Sequence, residues 1–89
     1  MYKVILSTKA HSFYSNSQLQ LAKKLARCFS FLEKEPYKSN NIKKLSGKFR
    51  NYYRYRIGDC RVIYRIDENR KEVIVVLIKH RADVYKSRT

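Results

Sequence analysis

Residues 52–65, YYRYRIGDCRVIYR, form the pattern that most constrains how this chain folds. Aromatic or aliphatic side chains alternate with mostly basic ones on both sides of a Gly-Asp dipeptide, as in two strands joined by a two-residue turn. A turn at this dipeptide fixes the register of the two strands. The pairs are then Ile57 with Cys60, Arg56 with Arg61, Tyr55 with Val62, and Tyr53 with Tyr64.

This register gives the hairpin an apolar face and a basic face, because side chains alternate along a strand. The apolar face fits a core and holds Tyr53, Tyr55, Val62, Tyr64 and Ile66. The basic face holds Tyr52, Arg54, Arg56, Arg61 and Arg65. Like charges directly opposite each other repel, and no acid lies in register with them. A solvated side chain is the simpler interpretation of any one arginine, but for four together we expect an anion on this face.

A helical pattern precedes the hairpin. Apolar side chains recur at helical spacing between residues 21 and 32, while lysine and arginine fall largely outside this stripe. Ser17 and Gln20 fit a capping box at the start of this helix. Pro36 ends the helix, because proline lacks an amide hydrogen. Residues 9–14 give a weaker signal for a short helix before it.

The strand and helix signals together predict an α+β fold with helices packed on one face of a mainly antiparallel sheet. Residues 2–7 are short, β-branched and mostly apolar, as in a first strand. Residues 37–51 are polar and rich in turn formers, which predicts a connecting loop. A three-stranded antiparallel meander is predicted at 52–57, 60–66 and 72–79. We expect one domain spanning residues 1–89, since this length suits a single core.

The charge balance predicts a polyanionic partner. Lysine and arginine number 21 against 7 acids, for a formal net charge of +14. Nucleic acid is the leading candidate, although an acidic membrane surface or an acidic protein also satisfies this charge. Arginine binds phosphate with paired hydrogen bonds, and tyrosine stacks on bases, so their mixture favours RNA. A DNA reader usually presents a recognition helix, whereas the long helix here uses its periodicity for the core.

Several other classes of protein are disfavoured. No window approaches the ~20 apolar residues of a membrane span, and the N-terminus lacks the features of a secretory signal. Cys28 and Cys60 are expected to be reduced and buried, and no Cys/His cluster has zinc spacing. We therefore expect a soluble, cytoplasmic protein without a metal, a small-molecule cofactor or a membrane partner.

The hairpin and the motif that follows it resemble a known family. YRYRIGDCRVIYRID, followed by VIVVLIKHRADVY, resembles the RelE branch of the RelE/ParE toxin superfamily, and KKLSG at 43–47 resembles the segment before these strands. The first half of the chain agrees in layout, a strand and then two helices. The resemblance implies a toxin that cleaves messenger RNA in the ribosomal A site without a metal. It also implies a cognate antitoxin that holds the toxin inactive.

The resemblance further implies catalytic residues. Arg61 would stabilise charge on the reacting phosphate, Arg81 would stabilise the leaving oxygen, and Tyr85 would stack on or orient the nucleotide. His80 is a further catalytic candidate, although a histidine satisfied at a strand end is the simpler interpretation. Contacts to phosphate or RNA are expected from Arg54, Arg56, Arg65, Lys44 and Lys48. Ser46 stands where RelE proper carries an arginine. Arginines at 54 and 56 replace lysines, which disfavours a basic-residue general base.

Two other functions stay open from the sequence. The ParE branch shares the scaffold and implies a poison of DNA gyrase that binds its target without catalysis of its own. A non-catalytic, basic RNA-binding module would also carry the arginine face. The full arginine set together with Tyr85 favours the RNA-cleaving interpretation.

Overall fold

Across residues 1–80, the part of the chain that the computed structural model describes, two helices pack on one face of a five-stranded sheet. The strands β1 to β5 are Lys3–Leu6, Ile42–Lys44, Tyr53–Ile57, Cys60–Asp67 and Glu72–His80. The helices α1 and α2 are Thr8–Ser15 and Leu19–Lys34. The strand order is β1-β5-β4-β3-β2, and β1 is parallel to β5 whereas the other neighbours are antiparallel. The predicted α+β fold, with its meander of β3 to β5, is confirmed.

The core lies between the helices and one face of the sheet. Leu25, Cys28 and Leu32 recur at helical spacing along α2, and each is at most 1% exposed. They pack in one cluster with Ala10 of α1 and with Val62, Tyr64, Val73, Val75 and Ile78 of the sheet. Burial on this scale is the main stabilising term available to a chain of this size. The predicted apolar stripe of α2 is therefore confirmed, and Cys28 belongs to it.

The hairpin has the register that the sequence predicts. All four expected pairs are present, from Ile57 with Cys60 to Tyr53 with Tyr64, and Arg56 stands opposite Arg61. Gly58 has a φ of +51°, the left-handed conformation that a two-residue hairpin turn requires. The two faces of the hairpin are therefore those derived from alternation.

The segment expected to be a loop contains a further strand. Residues 42–44 form β2, which pairs antiparallel with β3, and a single helical turn follows at Gly47–Phe49. A three-residue strand is too short to show periodicity, so its polar sequence resembles a loop. Pairing with β3 satisfies backbone groups that the outer edge of β3 would otherwise expose.

The predicted capping box is wrong. Gln18 is the N-cap of α2, and its side chain makes no capping hydrogen bond. The Ser17 hydroxyl instead donates to the carbonyl oxygen of Phe13, at 2.7 Å. A serine hydroxyl readily donates a hydrogen bond to the carbonyl oxygen four residues earlier in a helix. Ser17 therefore belongs to the end of α1.

Cys28 and Cys60 are both buried and are not joined by a disulfide, as expected. Burial raises the pKa of the Cys28 thiol to about 12, so this thiol stays protonated at neutral pH. Within residues 1–80, neither helix has the length and apolar character needed to cross a membrane.

Candidate functional site

Three arginines group on the sheet face that points away from the helices. Residues directly opposite in a sheet share a face, so Arg56 and Arg61 lie side by side across β3 and β4. Arg54 lies two residues before Arg56 on β3 and therefore points to the same face. Burial, and then the positive charges of Arg61 and Arg56, lower the pKa of the Arg54 guanidinium. We call Arg54, Arg56 and Arg61 the arginine cluster.

The arginine cluster has hydrogen-bonding capacity that the described chain does not use. Arg54 Nε is buried and has no hydrogen-bond acceptor within residues 1–80. The ion pair found among these residues joins Lys71 to Glu68, and none involves the arginine cluster. A buried donor without an acceptor is costly, and a phosphate oxygen matches the planar fork of a guanidinium. The arrangement is chemically suited to an anion.

Charge is unevenly distributed over the rest of this face. Asp67 stands opposite Glu72 at the end of the sheet far from the hairpin turn. Between these acids and the arginine cluster, the face carries the aliphatic residues Ile63, Ile74 and Leu77. Arg65 stands opposite Ile74 and lies about 13 Å along β4 from Arg61, given the usual rise per residue. The structure therefore brings three of the four hairpin arginines together and leaves Arg65 apart.

The sheet register does not place either candidate lysine beside the arginine cluster. Lys44 stands opposite Tyr53, on the helix side of the sheet, where it lines a shallow hollow with Tyr37. Lys48 is exposed in the helical turn that follows β2. Lys43, which the sequence did not single out, stands opposite Arg54 and shares the face of the cluster. Only the register of β2 shows which of the two lysines faces the arginine cluster. Because the sequence did not predict this strand, it could not identify Lys43.

His80 and the arginine cluster lie on opposite faces of the sheet. His80 stands opposite Cys60 and lines a groove with Lys9, Ser12 and Phe13 of α1. The remaining two catalytic candidates, Arg81 and Tyr85, lie outside the described residues.

A second lysine joins the basic face without any sequence signal. Lys79 is exposed and stands opposite Arg61 across β4 and β5. Residues 1–80 contain no group of three His, Cys, Asp or Glu side chains that could hold a metal ion. The site is therefore a cationic sheet face.

Comparison with protein families identifies the scaffold. The family model described as ParE toxin of type II toxin–antitoxin systems matches residues 6–85. The chain belongs to this toxin family. Within residues 1–80, the match spans both helices, the strands β2 to β5 and only the last residue of β1. The resemblance to the RelE/ParE superfamily is thereby confirmed.

Solved structures show the same fold in toxins of this superfamily. The toxin–antitoxin complex RelBE2 from Mycobacterium tuberculosis matches with a TM-score of 0.79 and 23% identity, covering 90% of this chain and 98% of that one. The archaeal RelE–RelB complex from Pyrococcus horikoshii matches with a TM-score of 0.78 and 25% identity, covering 90% and 94%. A YoeB/ParE toxin from Agrobacterium tumefaciens matches with a TM-score of 0.78 and 14% identity, covering 88% and 96%.

These relatives establish the toxin scaffold but not the toxin's activity. The family model is named for ParE, whereas the structures are named for RelE and YoeB. No curated protein sequence matches this chain. Since one fold can carry different functions, the activity has to be argued from the site.

Proposed function

We propose that this toxin is an endoribonuclease that cleaves messenger RNA in the ribosomal A site and is inhibited by a cognate antitoxin. Its partners would then be the ribosome, the message and the antitoxin, in the cytoplasm. The observation that carries the proposal is the arginine cluster, three mutually repelling guanidinium groups on one sheet face without an acidic partner in residues 1–80. A protein accepts such repulsion where an anion offsets it.

The reaction is a transfer within the RNA. The ribose 2′-oxygen forms a bond to the neighbouring phosphorus, and the bond from phosphorus to the 5′-oxygen breaks. The 2′-hydroxyl loses a proton and the 5′-oxygen gains one, which leaves a 2′,3′-cyclic phosphate and a free 5′-hydroxyl. Arg61 stabilises the charge on the five-coordinate phosphorus. Arg54 and Arg56 hold the phosphate through charge-assisted hydrogen bonds.

The proton transfers are assigned to residues near the end of the chain. Arginine hardly ever deprotonates in proteins, so the arginine cluster supplies charge and no general base. Tyr85 orients the nucleotide and assists loss of the 2′-proton, and Arg81 stabilises the leaving oxygen, as the family resemblance implies. His80 is given no part in the transfers, because its side chain lies on the opposite sheet face from the cluster.

Messenger RNA mapping in a translating bacterial extract tests the proposal. Purified toxin should produce new 5′ ends inside codons, and only while translation proceeds. Arg61→Ala should lower the cleavage rate by about 10²–10³-fold, as expected for loss of one transition-state donor. Lys3→Ala is the matched control, because it removes a positive charge from the same face beside Glu72. Full activity of Arg61→Ala would reject the site, and an intact message with wild-type toxin would reject the function.

Inhibition of DNA gyrase is the second candidate, because the family model that covers residues 6–85 is the one named for ParE. In that case the basic face would bind a protein, and no RNA would be cut. A supercoiling assay separates the two functions. Gyrase inhibition at low toxin concentration with the message intact would favour this second candidate. If neither gyrase nor the message is affected, a non-catalytic RNA-binding module is the remaining interpretation.

A further inference from the structure

The arginine cluster continues across the sheet as a row of cations. Arg56 stands opposite Arg61, and Arg61 stands opposite Lys79 on the next strand. The three side chains therefore point to one face from three neighbouring strands. Adjacent strands are about 4.8 Å apart, so the row runs roughly 10 Å across the sheet at a right angle to the strands. No acid lies in this row.

Lys79 points to this face because β5 contains a β-bulge. Val73 and Val75 face the helices, so strict alternation would also bury residues 77 and 79. Instead Ile63 pairs with Leu77 and Tyr64 pairs with Val75, which leaves Val76 as an extra residue. One extra residue reverses the alternation beyond it. As a result, Ile78 is buried and Lys79 is exposed.

Ser7 holds the bulge in place. The Ser7 hydroxyl donates to the carbonyl oxygen of Val76 at 2.8 Å, and the Ser7 amide donates to the carbonyl of Val75 at 2.8 Å. The same hydroxyl accepts from the amide of Ala10 at 3.1 Å and so caps α1. A bulge removes its extra residue from the ladder, and that residue needs other hydrogen-bond partners. Ser7 supplies one and ties it to the start of a helix.

We propose that Lys79 is a further RNA-phosphate contact of this toxin, in line with Arg56 and Arg61, and that Ser7 is the residue that positions it. The inference rests on the proposed function and names a contact that the family resemblance did not supply. Lysine is a flexible point charge, suited to a phosphate next to one gripped by arginine. A row perpendicular to the strands would lead a single RNA strand across the sheet from β3 to β5.

Binding of an RNA that cannot be cut tests Lys79 independently of cleavage. The probe is a short, fluorescein-labelled single strand with 2′-O-methyl groups at every ribose, titrated with full-length toxin at several salt concentrations. Loss of one phosphate contact lowers the slope of log K against log salt by about 0.7 for single strands. We expect this change, with several-fold weaker binding, for Lys79→Ala. We expect near wild-type binding for Lys79→Arg and for the matched control Lys3→Ala.

The outcomes separate the inference from the proposed function. Equal slopes for Lys79→Ala and Lys3→Ala would overturn the assignment of Lys79, as would failure of wild-type toxin to bind the probe. RNA binding that depends on Lys79, combined with an intact message during translation, would reject the endoribonuclease proposal and support Lys79 as a phosphate contact.

A double-mutant cycle tests the role of Ser7. Ser7→Ala should weaken RNA binding in the wild-type background and have no further effect in a Lys79→Ala background, because it acts through that lysine. A residue needed only for folding would weaken binding equally in both backgrounds, and that result would overturn the positioning role. Ser7→Thr keeps a hydroxyl and should restore binding. Circular dichroism at the assay temperature confirms that each variant is folded.

Discussion

Arg56 and Arg61 stand directly opposite each other on the central hairpin, and no ion pair within residues 1–80 neutralises either one. Like charges at opposed positions destabilise a sheet. The pair therefore lowers the stability of the free toxin, a cost that binding of an anion at the proposed site would explain. A substitution that removes one of the two charges should therefore raise the stability of the toxin and lower its activity.

Arg61→Thr is expected to stabilise the toxin while removing its activity. Threonine suits a strand and ends the repulsion with Arg56, so unfolding should require about 0.2–1 kcal/mol more free energy. Denaturant titration measures this difference. Lys3→Thr is the control, because Lys3 faces Glu72 and its loss should bring no gain. A destabilised Arg61→Thr variant would show that the arginine is held by favourable contacts, contrary to this account.

Lys43 and Lys44 are adjacent in sequence but should differ in their effect on RNA binding. Lys43 shares a face with Arg54, whereas Lys44 lies on the helix side with Tyr53. Lys43→Ala should lower the salt slope of binding by about 0.7, the value for one phosphate on a single strand. Lys44→Ala should stay close to wild type in the same fluorescence titration. If Lys44→Ala weakened RNA binding and Lys43→Ala did not, Lys44 would be the contact, and RNA would not cross β2 on the face of the arginine cluster.

The hairpin was predictable because its turn allows one register. With Gly58 in a two-residue turn, every pair from 57–60 outward is fixed, and alternation assigns each side chain to a face. The apolar stripe of α2 was predictable for the corresponding reason, since its period matches a helix. These two patterns contain the arginine cluster and most of the core.

The parts that were missed depend on pairing that leaves no periodic signal. β2 is three residues long, so neither its existence nor the face of Lys43 could be derived. The bulge at Val76 lies in an unbroken apolar run, VIVVLI, where alternation is invisible. The face of Lys79 depends on this one extra residue. Long-range hydrogen bonds, such as the one from Ser7 to Val76, decide such features.

Tyr64→Phe should destabilise the toxin without affecting cleavage. The Tyr64 hydroxyl is fully buried on the helix side and donates to the carbonyl oxygen of Pro36 at 2.7 Å. Its loss leaves that carbonyl without this donor, which typically costs about 1–3 kcal/mol. Thermal or denaturant unfolding measures the change, with Tyr14→Phe as a control on a half-buried tyrosine that packs edge-on against Phe29. Equal stability of Tyr64→Phe and wild type would show that the bond contributes nothing net.

Acid should weaken the contact that joins the start of β1 to the turn between β4 and β5. The carboxylate of Glu68 pairs with Lys71 and accepts hydrogen bonds from the hydroxyls of Tyr37 and Tyr2. The hydrogen bond from Lys71, followed by those from Tyr37 and Tyr2, lowers the pKa of Glu68 from its ordinary 4.5 to about 2. A lowered carboxyl pKa adds stability above the unfolded value, and this stability is lost as pH falls toward the folded value.

Glu68→Gln isolates this pH dependence. Wild type should be more stable than the variant by a constant amount above about pH 5. This difference should shrink steadily between about pH 4.5 and 2, because Glu68 takes up a proton in this range and the glutamine that replaces it does not titrate. Urea unfolding at a series of pH values measures the difference. Glu33→Gln is the control, an acid on α2 whose side chain has no ion pair within residues 1–80. The opposite outcome is a difference in stability between wild type and Glu68→Gln that stays unchanged down to about pH 2. It would mean that the carboxylate charge of Glu68 does not stabilise this contact, and that the hydrogen bonds with Tyr2 and Tyr37 depend on geometry alone.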